Sequence, residues 1–135
     1  VFPVVQKAGG PAARYVEVLI GQHERGRAIT DHVLAATRQP VPDAVTATAL
    51  AQVLETFVRM YQNHAAREDT SVFPAWKQAL SAREFIEMGD RFETIEEKQF
   101  GEGGFERAVR QIGDIEARLG LANLARFTAP RPPVR

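Results

Sequence analysis

One apolar stripe constrains this chain more than any other feature. Leu50, Val53, Phe57, Met60 and Tyr61 recur at three- and four-residue steps. At about 100° per residue they fall within roughly a quarter turn of His64 and Glu68. The stripe therefore runs out not into polar surface but into an imidazole and a carboxylate, four residues apart and so on one helix face. A helix with a single apolar face must bury it against other elements, which makes the fold a helical bundle with this pair turned towards its interior. A carboxylate directed there needs a positively charged partner, and a metal ion is the partner that also accepts an imidazole. Taken alone, the spacing equally suits a surface i,i+4 pair, or a buried histidine hydrogen-bonded to the carboxylate.

The rest of the chain reads as helix as well. A first helix is expected over about 12–37, and a loop over 39–43, where Asp43 is placed to cap the next helix. That second helix is expected to end near Val72, because the residue before Pro74 is pushed out of the helical region. Ser81, with Glu84 three residues on, makes a capping box for a third helix bearing Phe85, Met88, Phe92 and Ile95. Glycines at 101, 103 and 104 close it. A fourth helix carries Phe105, Ala108, Ile112, Ile115 and Leu119 along one side and stops at Gly120. No stretch alternates with the period of a strand, so the class is all-α. Residues 1–128 read as one helical domain and 129–135 as a flexible, Pro- and Arg-rich tail.

The first helix adds to the metal reading. Val16, Leu19, Ile20, Thr30 and Leu34 share a side with His23, which points inward in consequence. His32 is about half a turn out of phase with His23 and faces solvent, and Glu24 sits about 100° away. Two antiparallel helices joined by a short loop bring His23 and His64 into one core. With Glu68 they offer two nitrogens and a carboxylate, a set that suits iron, zinc or manganese better than magnesium or calcium. Three such ligands are half of a carboxylate-bridged two-metal site or all of an open mononuclear one.

Composition narrows the classes. The 135 residues carry 17 basic and 17 acidic side chains, which gives no footing for a nucleic-acid or anionic-membrane surface. Without cysteine there are no disulfides, thiolate ligands or thiol nucleophile, so any metal must be held by nitrogen and oxygen. No apolar run approaches the roughly 20 residues of a membrane span. No signal peptide is visible, and the compartment reads as cytoplasmic, or periplasmic if a leader stood upstream.

Val1-Phe2-Pro3-Val4-Val5-Gln6-Lys7-Ala8 echoes Val72-Phe73-Pro74-Ala75-Trp76-Lys77-Gln78-Ala79, as equivalent parts of an internal duplication would. The first copy of the His-xxx-Glu motif would then stand eight and four positions before Val1.

Residues 57–74 (FVRMYQNHAAREDTSVFP), preceded by Gln22-His23-Glu24, resemble the bacterial hemerythrin-like proteins with the HHE cation-binding domain. The resemblance implies an up-down helical bundle in which each of two hairpins gives one histidine and one His-xxx-Glu to a non-haem iron pair. It assigns His23, His64 and Glu68 as metal ligands of the second hairpin and sets the first hairpin's ligands before Val1. Residues 92–106 resemble the C-terminal extension of one subgroup, in which Glu-His often stands where this chain has Glu96-Glu97. Glu97 is therefore an additional candidate ligand. The implied function is binding or sensing of dioxygen, or of nitric oxide or peroxide, by a di-iron centre. Tyr61 is placed either as a hydrogen-bond donor behind the ligands or as an aromatic core residue. The competing readings are a metal-free helical interaction module, a peroxide-removing di-iron enzyme, and a homodimer in which two hairpins rebuild one site across a twofold axis.

Overall fold

The computed structural model describes residues 1–38 and 43–132, and among these the fold is all-α, with no strand. Helices α1 (Phe2–Ala8), α2 (Gly10–Ala36) and α3 (Ala44–Arg67) are followed by a π-turn (Glu68–Val72) and α4 (Phe73–Gln78). Then come α5 (Ala82–Phe100), α6 (Gly104–Leu119) and a closing 3₁₀ turn (Leu124–Phe127). The loop expected over 39–42 and the last three residues of the tail lie outside the described residues. By packing, the chain divides into two compact units, Val1–Phe85 and Ile86–Arg135.

The first unit holds the core. Ala12, Val16 and Leu19 make one stripe on α2, and the same steps continue through His23 to the buried Gly26. Against them pack Val5 of α1 and Val72 of the π-turn, with Val1, Phe2, Tyr15, Ala75 and Trp76 around the edge. Burying a valine or leucine in this way stabilises by about 1.5–3 kcal/mol. Gly9, at φ 75° and ψ −153°, is where α1 breaks and α2 starts, in a backbone region that side-chain-bearing residues avoid. Three inward expectations fail: Thr30 is exposed, and Ile20 is 42% and Leu34 57% exposed. The buried line of α2 is centred on Val16, Leu19 and Gly26, and Ile20 lies about 100° round from Leu19, beyond its edge.

Helix α3 starts as its sequence dictates. The Asp43 carboxylate accepts the Thr46 backbone N–H at 2.8 Å. Leu50, Val53, Phe57, Met60 and Tyr61 are half-buried, and His64 at the end of the stripe is buried. The expected stop before Pro74 does not occur. Phe73 keeps helical angles, φ −66° and ψ −40°, and its N–H reaches back five residues to the Glu68 carbonyl. A proline within an α-helix would lack the bond to residue i−4 and crowd that carbonyl, here Thr70. The wider turn takes up this misfit, and Pro74 becomes a first-turn residue of α4, where a missing N–H costs nothing. Pro3 opens α1 in the same way.

The second unit is built from caps more than from core. Before it, the Ser81 capping box forms as expected, with Glu84 Oε2 accepting from the Ser81 N–H at 2.8 Å and from its hydroxyl at 2.6 Å. Arg107 closes the turn after α5 by donating to the Phe100 and Glu102 carbonyls. Gly120, left-handed at φ 69°, ends α6, and its carbonyl accepts from Arg126 at 2.8 Å. Residues 129–132 form no regular element.

Two predictions follow from this packing. A Cβ added at Gly26 would meet the Tyr61 hydroxyl, with ring atoms at 3.0 and 3.1 Å. Gly26→Ala should gain about 1 kcal/mol of helix propensity but lose about 1–3 kcal/mol to overpacking, a net destabilisation readable by thermal unfolding. In a Tyr61→Phe background, where the hydroxyl is gone, the same change should cost less.

The caps should make helix content acid-sensitive. Hydrogen bonds from the Ser81 hydroxyl and then its N–H hold the Glu84 carboxyl below the usual carboxylate range, and the Thr46 N–H does the same for Asp43. Lowered folded-state values mean that the stabilisation is complete above the ordinary carboxylate pKa. It fades as pH falls through the lowered value. Far-UV circular dichroism should show helix loss across that window, and Ser81→Ala should remove the part due to Glu84.

Candidate metal centre

His23 comes from α2, His64 from the last turn of α3, and Glu68 from the head of the π-turn, one helical turn after His64. The structure brings all three together, with one ligating atom from each lying within 4.8 Å of the others. Glu68 Oε1 is 3.8 Å from His23 Nε2, and Oε2 is 3.3 Å from His64 Nε2. Donors bound at about 2.0–2.2 Å to one ion lie roughly 3–4 Å apart, a range that the two Glu68 contacts meet and the full set, at up to 4.8 Å, slightly exceeds. The surroundings grade from dry to open: the His64 side chain is 2% exposed, Glu68 16% and His23 34%.

The protonation of His64 follows from its neighbours. Its Nδ1 is 2.9 Å from Gln22 Oε1. A carboxamide oxygen only accepts, so Nδ1 donates to it, and in the neutral ring Nε2 then carries the lone pair. That Nε2 is buried and makes no hydrogen bond in the structure. A lone pair facing a carboxylate oxygen at 3.3 Å sets two electron-rich atoms against each other in a nearly dry place. A cation between them removes the conflict, and Gln22 supplies the outer-shell partner that a ligating histidine needs. The residues present therefore fit a metal ion.

Aromatic rings hold the two imidazoles in place. The His23 ring lies between Phe2 and His64, with centroids at 5.5 and 4.6 Å. Tyr61 stands 5.2 Å from His64 and 4.8 Å from Phe57, its hydroxyl over Gly26. It packs as a core aromatic that props His64. Leu19 is buried, and Phe57 and Met60 are half-buried along the same hairpin. Beside Phe2 an apolar groove of about 390 Å³ opens between Pro3, Gln6, Val16, Glu17 and Ile20.

The remaining candidates separate as their helical phase requires. His32 and Glu24 are exposed. Glu97 lies on α5 in the second unit, exposed, along a groove shared with Glu93, Glu96 and Glu106, and the three-ligand cluster does not include it. Two contributors escaped the sequence reading. Gln22 could have been found as the carboxamide adjoining an inward histidine, and Phe2 as the counterpart of Phe73 in the repeated Val-Phe-Pro.

No family model matches the chain. No solved structure matches it either. It is similar to uncharacterized proteins of Mycobacterium bovis and of two Mycobacterium tuberculosis strains, each 44% identical over 129 residues. The match takes in 95% of this chain and 50% of each relative, so the chain spans about half the length of the curated relatives it matches.

Proposed function

We propose that this is a non-haem iron-binding, hemerythrin-like protein whose His23, His64 and Glu68 belong to a di-iron site that binds or senses dioxygen or a related small oxidant. The observation that carries the reading is the buried His64 Nε2, its lone pair facing Glu68 and its tautomer set by Gln22. His23 and His64 would hold nitrogen positions. Glu68, whose two oxygens face different histidines, would bridge the two irons or neutralise one. Iron bound by imidazole and carboxylate supplies reversible binding or reduction of small oxidants. The chain's own part is to orient the ligands through Gln22, to shelter His64 beside Tyr61, and to offer an apolar groove beside Phe2. A di-iron centre needs more donors than these three, and a second His and His-xxx-Glu set on another hairpin would complete it. Zinc and manganese fit the same donors and are distinguished only by analysis.

Purified protein should contain iron above background and develop visible absorption when loaded with ferrous ion under air. A folded, iron-free preparation that gains no absorption on such loading would overturn the reading. Replacing His64 or Glu68 by alanine should abolish occupancy. Gln22→Leu, which keeps every ligand but loses the orienting acceptor, should weaken metal affinity about tenfold or more. Retention of full occupancy in Glu68→Ala would remove that residue from the site. Oxygen evolution from peroxide by the iron-loaded protein would favour the enzyme over simple binding.

A further inference from the structure

The hydrogen bond to His64 leaves half of the Gln22 carboxamide unused. Gln22 Oε1 is taken by His64 Nδ1 at 2.9 Å, while its amide N–H groups have no acceptor among the described residues. Gln22 also lines a cavity of about 170 Å³ between α2 and α3, together with Tyr15, Val18, Leu19, Asn63 and Arg67. Two guanidinium groups stand over the Tyr15 ring, Arg14 at 5.1 Å and Arg67 at 4.8 Å from its centroid. Among the described residues neither is paired with a carboxylate. Stacking on a ring, and a place in the last turn of α3, account for one cation here but not for two. Like charges gathered at one side chain without a counter-charge make this pocket positive and suit an anion.

The neutral groups of the lining select which anion. Tyr15 Oη accepts from Arg14 at 3.3 Å, so its own O–H remains to donate. With Arg67 and the Gln22 N–H groups, the cavity is rich in donors. Asn63 supplies the opposite: its Nδ2 donates to the Arg59 carbonyl at 3.0 Å, which leaves the carboxamide oxygen for the cavity. A fully ionised oxoanion has no proton for that acceptor and would meet it oxygen to oxygen. Hydrogenphosphate carries accepting oxygens and one P–OH, and so matches both kinds of group. We propose that this cavity is a site for free hydrogenphosphate: Arg67, the Gln22 amide and Tyr15 donate to it, Asn63 Oδ1 accepts its proton, and Arg14 adds the second positive charge. An anion drawing on the Gln22 N–H groups polarises the carboxamide and makes Oε1 a stronger acceptor for His64 Nδ1–H. Bound phosphate therefore tightens the bond that orients His64. The site itself does not depend on the metal reading.

Titration calorimetry tests it on the full chain, freed of metal by a chelator so that no ion answers for the pocket, at constant ionic strength. At about pH 8 inorganic phosphate keeps one P–OH, whereas methyl phosphate and sulfate are dianions without one. Phosphate should bind saturably to one site, about tenfold or more tighter than either of the others. Arg67→Gln should weaken phosphate about tenfold or more. Asn63→Leu should bring phosphate and sulfate to within a few-fold of each other, a change of selectivity that a merely structural role would not produce. Both residues are exposed, so these variants keep the hairpin core. In the unsubstituted chain the His64 Nδ1–H proton resonance should move downfield as phosphate is added, and stay in place in Arg67→Gln. Absence of saturable phosphate binding would overturn the proposal. So would sulfate binding as tightly as phosphate, or phosphate affinity unchanged by Arg67→Gln. Each of these failures leaves the metal reading where it stands, because no metal takes part in the measurement.

Discussion

The site depends on one hydrogen bond, from His64 Nδ1 to Gln22, because it decides which face of the imidazole is left electron-rich. Were the tautomer reversed, His64 would simply donate to Glu68, and the pair would be an ordinary buried histidine and carboxylate. In the neutral ring, with Nδ1 committed to Gln22, Nε2 and Glu68 Oε2 are both acceptors at 3.3 Å, and the burial that makes the contact also removes the water that could mediate it. The bond spans 42 positions in sequence and joins α2 to α3. Hairpin closure and ligand chemistry are thus set by the same contact, and Tyr61 against Gly26 fixes how closely the two helices approach.

The features legible in the sequence were those whose cause is local. Asp43 and the Ser81–Glu84 box cap the helices they precede because the acceptor and the orphan N–H lie within three residues. The inward phase of His23 and His64 and the outward phase of His32 follow from helix geometry alone. What failed, failed for longer-range reasons. Pro74 signals an interruption, but whether the chain stops or widens its turn depends on Val72 having a core to enter, and it enters beside Val5 and Val16. Ile20 and Leu34 belong to the apolar side of α2 by periodicity, yet the helices packed on α2 cover a narrower band. Gln22 adjoins an inward histidine in sequence, but its partner lies across the hairpin, 42 positions on, and no spacing along one helix encodes that contact.

The two units spend their apolar residues differently. In the first, valines and a leucine from three elements meet, and the imidazoles extend that packing into the site. In the second, arginines and glycines satisfy the helix ends while the long apolar side chains stay in solvent.

The π-turn bears on how the ligands are held. Helices with one widened turn can usually relax by passing the extra residue along, turning every side chain beyond it. Here that path is closed on one side, because Pro74 has no N–H to offer Thr70 and its ring would collide with that carbonyl. The position of Glu68 relative to His64 is therefore secured by the covalent chain downstream rather than by whatever the two residues bind. The ordering entropy of the carboxylate is met on folding, so any ion bound there would find this donor preorganised.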